Sequence, residues 1–181
     1  MVEIRRDIHR HPEIGRNEVR TSALIRKKLE EYGVDAIERP VPTAVVALIH
    51  GARGPGRCVA LRCDIDALPV QEETGLPYTS ENPGIMHACG HDGHASLGLF
   101  VCLALNAIRK DLSGVIKIIF QPAEEGVRGA QSIAESGVLD DVDWFLSGHL
   151  GMGWKTGELL ALTNGFLSTT KIDAVITGLS S

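Results

Sequence analysis

The sequence contains few aromatic residues and no excess of positive charge. Aromatic side chains make up 4% of the 181 residues, and 18 Lys and Arg residues stand against 23 Asp and Glu residues, for a net charge of −5. A nucleic-acid-binding domain normally carries a basic patch or stripe, so this balance argues against a nucleic-acid partner. The hydrophobic fraction of 44% and the charged fraction of 23% are typical of a globular domain.

The sequence also lacks a long hydrophobic run. Its longest apolar stretch, roughly residues 95–108, is interrupted by Ser96, Gly98 and Asn106, and it falls short of the ~18 continuous apolar residues that a membrane span needs. Residues 1–13 are rich in charge and contain no hydrophobic region of a secretory signal. These features predict a cytoplasmic protein without a membrane partner.

Disulfide-forming patterns are missing as well. No CxxC pair occurs among the four cysteines, which are Cys58, Cys63, Cys89 and Cys102. Because no export signal is visible, we expect these thiols to be reduced.

The pattern of apolar residues and turn residues predicts an α/β domain. Helices are expected over residues 1–9, 17–33 (Asn17 as N-cap and Gly33 after the last turn), 95–110 and 129–135. Strands are expected over residues 43–50, 58–65, 115–120, 143–147, 158–162 and 169–176. Alternating strands and helices indicate a mostly parallel sheet with flanking helices, in one domain that spans residues 1–181.

Residues able to bind a metal follow several of these strands. Ligands of open α/β sheets bind beyond the carboxyl ends of the strands. Carboxylates, imidazoles and a thiol fall at these positions, in a set comprising Asp64, Asp66, Cys89, His91, Glu124, Glu125 and His149. Such groups are the ligand types of a transition-metal site.

Each of these residues also has a simpler explanation. Cys89 alone is typical of a buried core cysteine, and together with His91 it could form a nucleophile pair. Adjacent glutamates such as Glu124 and Glu125 are usually solvated, and His149 alone fits packing as well as ligation. Asp64 and Asp66, which share a face, fit carboxylates that orient metal ligands, or a helix cap. The convergence of several segments on one sheet edge favours the metal site.

Four segments carry a resemblance to a known family. Residues 5–13 (RRDIHRHPE), 61–69 (LRCDIDALP), 86–94 (MHACGHDGH) and 120–126 (FQPAEEG) resemble the metal-dependent aminoacylase/carboxypeptidase family. The subgroup is that of hippurate hydrolases and indoleacetyl-amino-acid hydrolases, whose catalytic domain has a zinc-aminopeptidase-like fold. Residues 125–130 and 168–173 are most similar to aminobenzoyl-glutamate hydrolases, in their catalytic subunit.

The resemblance implies a metal-dependent amidohydrolase acting on small N-acyl or N-aroyl amino acids. It implies two divalent ions, Mn²⁺ or Zn²⁺, in a full-length site whose ligand positions are matched by Cys89, His91, Glu125 and His149. Glu124 matches the general base, and Asp66 matches the aspartate beside the ligands. Arg128 and Lys171 are candidates to bind a substrate carboxylate. The remaining histidines are interpreted as structural: His9, His11, His50, His87 and His94.

The sequence departs from the family pattern at its end. The family continues into a lid and dimerisation domain that opens with a His-Ala-Gly motif, and the chain then returns with a last histidine ligand. This sequence stops at Ser181, before that motif. Two hypotheses follow: the N-terminal part of an amidohydrolase catalytic domain, or a catalytically inactive metal-binding or assembly module. In either case we expect self-association through surface that the missing segments would cover.

Overall fold

A computed structural model describes residues 1–34, 36–126, 128–151, 155–159 and 177. The chain divides into two compact units, Met1–Leu150 and Gly151–Ser181. The first unit contains the helices α1 (Val2–Arg10), α2 (Val19–Glu31), α3 (His91–Ala107) and α4 (Gly129–Glu135). Its strands are β1 (Ala36–Glu38), β2 (Val45–His50), β3 (Cys58–Asp64), β4 (Val115–Gln121) and β5 (Trp144–Ser147). The predicted strands at 158–162 and 169–176 fall outside the described residues, apart from 158–159, which are not in a strand.

The five strands form one sheet in the order β1-β2-β4-β3-β5. β3 runs parallel to both β4 and β5, whereas β2 runs antiparallel to β1 and β4. The α/β class is confirmed, and the parallel part of the sheet is the part that carries β3, β4 and β5. The sheet as a whole is mixed because residues 51–57, which link β2 to β3, are too few for the crossover helix that parallel strands need.

Helix α2 ends as its sequence predicts but begins one residue later. Gly33 has φ +69°, and the N–H groups of Gly33 and Val34 donate to the carbonyls of Glu30 and Leu29, which is a Schellman motif. The N-cap position is occupied by Glu18 instead of Asn17. The Glu18 carboxylate does not cap the helix, because it is buried and accepts hydrogen bonds from other segments of the chain.

Helix α3 begins at His91, four residues before the predicted start at Ala95. Gly90 precedes it with φ +84°, a conformation that glycine adopts without strain. The first turns are buried although they carry His91, Asp92 and His94. A pattern based on apolar residues misses such a start, because polar side chains occupy the inward-facing positions.

Two apolar clusters stabilise the unit, one on each face of the sheet. The larger lies beneath α1, α2 and α3, and its fully buried members include Phe120, Leu99 and Ile25. The smaller contains Ile119 and, from α4, Ile133. No helix among the described residues is long and apolar enough to cross a bilayer.

Candidate metal centre

Three predicted ligands come together at the carboxyl end of the parallel strands. Ligand atoms of Cys89, His91 and Glu125 all lie within 4.8 Å of one another. Nε2 of His91 is 3.9 Å from Oε1 of Glu125, and both atoms are buried without a hydrogen-bond partner. Buried polar atoms are rarely left unpaired in a folded protein, so these two atoms are free to bind a further partner.

His149 lies beside this group and shares His91 with a second possible ligand group, Asp64, His91, His94 and His149. It follows β5, and its Nε2 lies 3.5 Å from Sγ of Cys89. Its Nδ1 lies 2.8 Å from the carbonyl oxygen of Leu150, so Nδ1 carries the proton and Nε2 presents its lone pair toward Cys89. The structure thus brings Cys89, His91, Glu125 and His149 together at one edge of the sheet.

Asp66 orients two members of this group. Its backbone carbonyl accepts from Nδ1 of His91 at 2.8 Å, and its Oδ2 accepts the backbone N–H of Glu125 at 2.8 Å. Burial alone would raise the pKa of Asp66, but the hydrogen bonds from His91, Glu125 and Glu124 lower it below its usual range. The Asp66 carbonyl holds Nδ1 of His91, with Oδ1 of the carboxylate 3.4 Å from the same nitrogen. Together they direct Nε2 of His91 toward Glu125, as partners of metal-binding histidines do.

Asp64 lies next to two donors and close to the unpaired nitrogen of His91. His94 donates from Nδ1 to Oδ1 of Asp64, Nη1 of Arg62 lies 2.6 Å from its Oδ2, and Nε2 of His91 lies 3.5 Å from the same oxygen. Burial would raise the pKa of Asp64, but the His94 hydrogen bond and the Arg62 charge lower it to about 2. Asp64 is therefore a buried, ionised carboxylate that holds the side chains of His94 and Arg62 next to the candidate ligands.

The electrostatics of the group favour a bound cation. Burial, followed by the charge of Glu125, raises the pKa of the Cys89 thiol to about 11. Burial, followed by the charge of Glu124, raises the pKa of Glu125. Both groups are thus destabilised in the anionic form that binds a metal, and a divalent cation would reverse this. One thiol, two imidazoles and a carboxylate are a donor set that Zn²⁺ prefers and Mn²⁺ tolerates, so the residues present fit a metal.

The loop between β4 and α4 carries the two glutamates. Ala123 has φ +56°, and its N–H donates to the buried Glu18 carboxylate at 2.7 Å, which fixes the start of the loop. A Cβ on Gly129 would lie 1.9 Å from the carbonyl oxygen of Pro122, so only glycine fits where the loop folds back. Glu125 points toward the group described above, whereas Glu124 is exposed.

One of the two candidate substrate-binding residues lies among the described residues. Arg128 is the exposed N-cap residue of α4, with φ +56°. Lys171 lies outside the described residues.

Sequence reasoning missed the arrangement around His94 and His9, which were both interpreted as structural. His94 lies against Asp64 and His149, and its ligand atoms fall within 4.8 Å of those of Asp64, His91 and His149. His9 bonds two buried carboxylates, as discussed below. For His94 a signal existed: a helix starting at His91 places residue i+3 on the same face.

The sequence of this chain is similar to those of known proteins. The family described as Peptidase family M20/M25/M40 matches residues 60–165. N-acetyl-L-cysteine deacetylase of Bacillus subtilis is 42% identical over 92% of this chain and 41% of its own length. A p-aminobenzoyl-glutamate hydrolase subunit of Escherichia coli is 37% identical over 96% of this chain and 50% of its own length.

A solved structure extends the similarity to three dimensions. A Bacillus subtilis protein described as a dinuclear metal binding peptidase from the M20 family matches with a TM-score of 0.81 and 43% sequence identity. The match covers 84% of this chain and 43% of that one. The chain thus spans about half the length, or less, of these relatives.

Proposed function

Because the chain belongs to peptidase family M20/M25/M40, we propose that it forms the N-terminal part of the catalytic domain of a metal-dependent amidohydrolase. The proposed reaction is hydrolysis of the amide bond of N-acyl or N-aroyl amino acids. Relatives of this chain are a deacetylase of N-acetyl-L-cysteine and a hydrolase of p-aminobenzoyl-glutamate. Both names describe cleavage of an amide that links an acyl or aroyl group to an amino acid.

One observation supports this proposal above the others: two buried ligand atoms without partners face each other beside a thiol. Nε2 of His91 and Oε1 of Glu125 are unpaired at 3.9 Å from each other, and Cys89 lies within reach of both. Most buried polar atoms in a structural cluster are hydrogen-bonded, so the unpaired atoms beside the thiol favour a cation site. The proposed ligands are these three residues and His149.

The proposed cation and the proposed base divide the chemistry between them. A bound divalent cation would polarise the amide carbonyl and increase the acidity of water at the site. The Glu124 carboxylate takes one proton from the attacking water as the C–O bond forms. Glu124 then gives that proton to the amine nitrogen as the C–N bond breaks, and the products are a carboxylic acid and a free amino acid.

The other residues hold the reacting groups in place. Asp66 aligns the imidazole of His91 and the backbone of Glu125 through the contacts described above. Because Glu124 and Glu125 are adjacent, the same contact also positions the proposed base. Arg128 and Lys171 are proposed to bind the substrate carboxylate, for which a guanidinium or an ammonium group is the expected partner.

A hydrolysis assay of the full chain tests this function. The chain would be assayed with N-acetylcysteine and with p-aminobenzoyl-glutamate, after addition of Zn²⁺ or of Mn²⁺. Removal of a general base lowers kcat by about 10²–10⁴-fold, so we expect Glu124→Gln to reduce turnover that far while metal binding measured by calorimetry is unchanged. Glu38→Gln, at an exposed carboxylate in β1, is the matched control.

The possible outcomes separate the two hypotheses. Turnover that Glu124→Gln leaves intact would contradict the assigned base. Metal binding without turnover of any amide would favour the catalytically inactive metal-binding module. The preferred ion follows from comparing the two metals in the same assay.

A further inference from the structure

His94 is enclosed between a buried carboxylate and the segment that carries His149. It lies on α3 and is 4% exposed. Its Nδ1 donates to Oδ1 of Asp64, and its Nε2 accepts the backbone N–H of Leu150 at 2.9 Å. The ring of His149 meets its ring at 83°, with 4.5 Å between the ring centroids.

These contacts define the tautomer of His94. A backbone N–H can only donate, so Nε2 must present its lone pair to Leu150, and the proton must sit on Nδ1. Nδ1–H then points at the Asp64 carboxylate, which can only accept. Both nitrogens of His94 are therefore occupied by protein groups, although its ligand atoms lie near those of His91 and His149.

Asp64 is a rigid anchor for this chain of contacts. It is the last residue of β3 and is fully buried. Arg62 contacts it and also donates from Nε to Oε1 of Gln121 at 2.8 Å, which joins β3 to β4. Asp64, the residue to which His94 donates, is thus held by the two neighbouring strands β3 and β4.

The backbone of Leu150 connects His94 to His149 through two hydrogen bonds. The Leu150 N–H bonds His94, and the Leu150 carbonyl accepts from Nδ1 of His149 at 2.8 Å. Both Leu150 and His149 are exposed residues beyond the end of β5. An exposed segment needs such attachments to hold one side chain in one orientation, here with Nε2 of His149 at 3.5 Å from Sγ of Cys89.

We infer that His94 is a positioning residue, which attaches the Leu150 backbone to Asp64 and thereby aims His149 at Cys89. The role of His149 as a metal ligand rests on the proposed function above. The alternative, that His94 itself binds the metal, would require Nε2 to give up the Leu150 N–H. Removal of a residue that orients a ligating histidine typically weakens metal affinity by about 10–100-fold.

Two variants of the full chain separate positioning from ligation. His94→Gln retains an amide whose N–H₂ can donate to Asp64 and whose oxygen can accept from Leu150. His94→Leu keeps bulk and loses both hydrogen bonds. Co²⁺ is the probe, because its absorption spectrum reports the thiolate and the ligand geometry as well as the affinity. His50→Gln, at an exposed residue at the end of β2, is the matched control.

We expect His94→Leu to weaken Co²⁺ binding by about 10–100-fold at unchanged stoichiometry, and His94→Gln to restore binding to within about threefold of the native chain. Equal weakening in both variants, with a changed Co²⁺ spectrum in His94→Gln, would show that His94 is a ligand and overturn the inference. Native affinity in His94→Leu would overturn it as well.

A metal-free measurement keeps this test independent of the proposed function. Side-chain ¹⁵N chemical shifts of His94 in the native chain distinguish a protonated Nδ1 from a protonated Nε2. We expect the proton on Nδ1, and slow hydrogen exchange of the Leu150 amide that becomes faster in His94→Leu. A proton on Nε2, or an unprotected Leu150 amide, would contradict the inference even if the chain binds no metal, whereas failure of Co²⁺ binding alone would contradict the proposed function.

Discussion

The backbone N–H of Glu125 donates to Oδ2 of Asp66 across 2.8 Å, although 59 positions separate the two residues in the sequence. Asp66 follows β3, and Glu125 lies in the loop that follows β4. The parallel pairing of these strands brings their carboxyl ends together. One buried carboxylate thus determines where the loop with both glutamates lies relative to the sheet.

Asp66→Ala is expected to destabilise the chain and to weaken metal binding. It leaves the Glu125 N–H without its acceptor, which costs about 1–3 kcal/mol in the free energy of unfolding. It also removes Oδ1, which lies 3.4 Å from Nδ1 of His91, but keeps the backbone carbonyl that accepts from this nitrogen, so Zn²⁺ affinity falls by about 10-fold, at the low end of the range for such partners. Urea unfolding and calorimetry measure the two effects. Asp111→Ala, which breaks an exposed ion pair with Arg53, should change both by little, and native Zn²⁺ affinity in Asp66→Ala would contradict the prediction.

Gly98→Ala is expected to destabilise the core although alanine is the better helix former. A Cβ at Gly98 of α3 would lie 2.7 Å from Sγ of Cys63 and 2.8 Å from Cε1 of Phe120. Overpacking costs about 1–3 kcal/mol, which exceeds the gain in helix propensity of ~1 kcal/mol. Urea unfolding measures the difference.

A double variant checks the cause of that loss. Phe120→Leu shortens the side chain that the new methyl group would meet, so the pair should be less destabilised than the sum of the two single variants. Strict additivity, or a Gly98→Ala chain as stable as the native one, would show that the overlap has no energetic consequence.

The stability of the chain should fall above neutral pH because of His9. Its Nδ1 lies 3.0 Å from Oδ2 of Asp92, and its Nε2 lies 3.1 Å from Oε1 of Glu72. Two carboxylates require two N–H donors, so the imidazole is charged. The hydrogen bond with Asp92 raises the pKa of His9, burial opposes this, and the bond with Glu72 adds to the increase.

The raised pKa determines the direction of the pH effect. The contribution of His9 is fully present below its ordinary pKa of about 6.5 and is lost as pH rises through the raised value. At the acid end, burial would raise the pKa of Asp92, but the His9 bond lowers it to about 2. The contribution of Asp92 is therefore present above its ordinary pKa of about 3.9 and lost as pH falls toward 2.

Urea unfolding of the native chain and of His9→Gln, measured across this pH range, tests the effect. The stability difference between the two chains should shrink as pH rises above neutral, whereas His50→Gln should follow the native chain. A difference that is constant between pH 6 and 9 would mean that His9 does not titrate in the folded state.

Self-association is expected through strand β5. Among the described strands, β5 lies at one edge of the sheet, and its residues Trp144, Phe145 and Leu146 are 63%, 50% and 55% exposed. An open strand edge with large apolar side chains favours pairing with another chain. Sedimentation velocity should show association that increases with concentration and that Phe145→Lys reduces. Val19→Lys, at an exposed residue of α2, is the control, and a native chain that stays monomeric would refute the expectation.

The fold class and most of the elements follow from the order of the amino acids alone. Apolar runs between turn residues located β2, β3, β4 and β5, and α4 occupies the predicted residues. The C-terminal end of α2 follows from Gly33, because the left-handed conformation there suits glycine. These features depend on the local conformational preferences of the backbone, which are determined by residues that are neighbours in the sequence.

The residues of the candidate site were also visible in the sequence, because chemistry restricts which side chains can bind a metal. Their partners were not. The contact of Asp66 with Glu125 and that of His94 with Leu150 join residues that are 59 and 56 positions apart. The parallel pairing of β3 with β4 brings the first pair within hydrogen-bond distance, and the packing of α3 against the sheet does so for the second.

The start of α3 and the mixed sheet likewise depend on contacts between distant parts of the chain. His91, Asp92 and His94 occupy buried helical positions because buried partners compensate their polar groups, which an apolar pattern does not represent. The direction of β2 depends on its pairing with β4, whose first residue lies 65 positions after the last residue of β2. Local propensity selects strand or helix, but the choice of neighbour and its direction depends on how the whole chain buries its apolar surface.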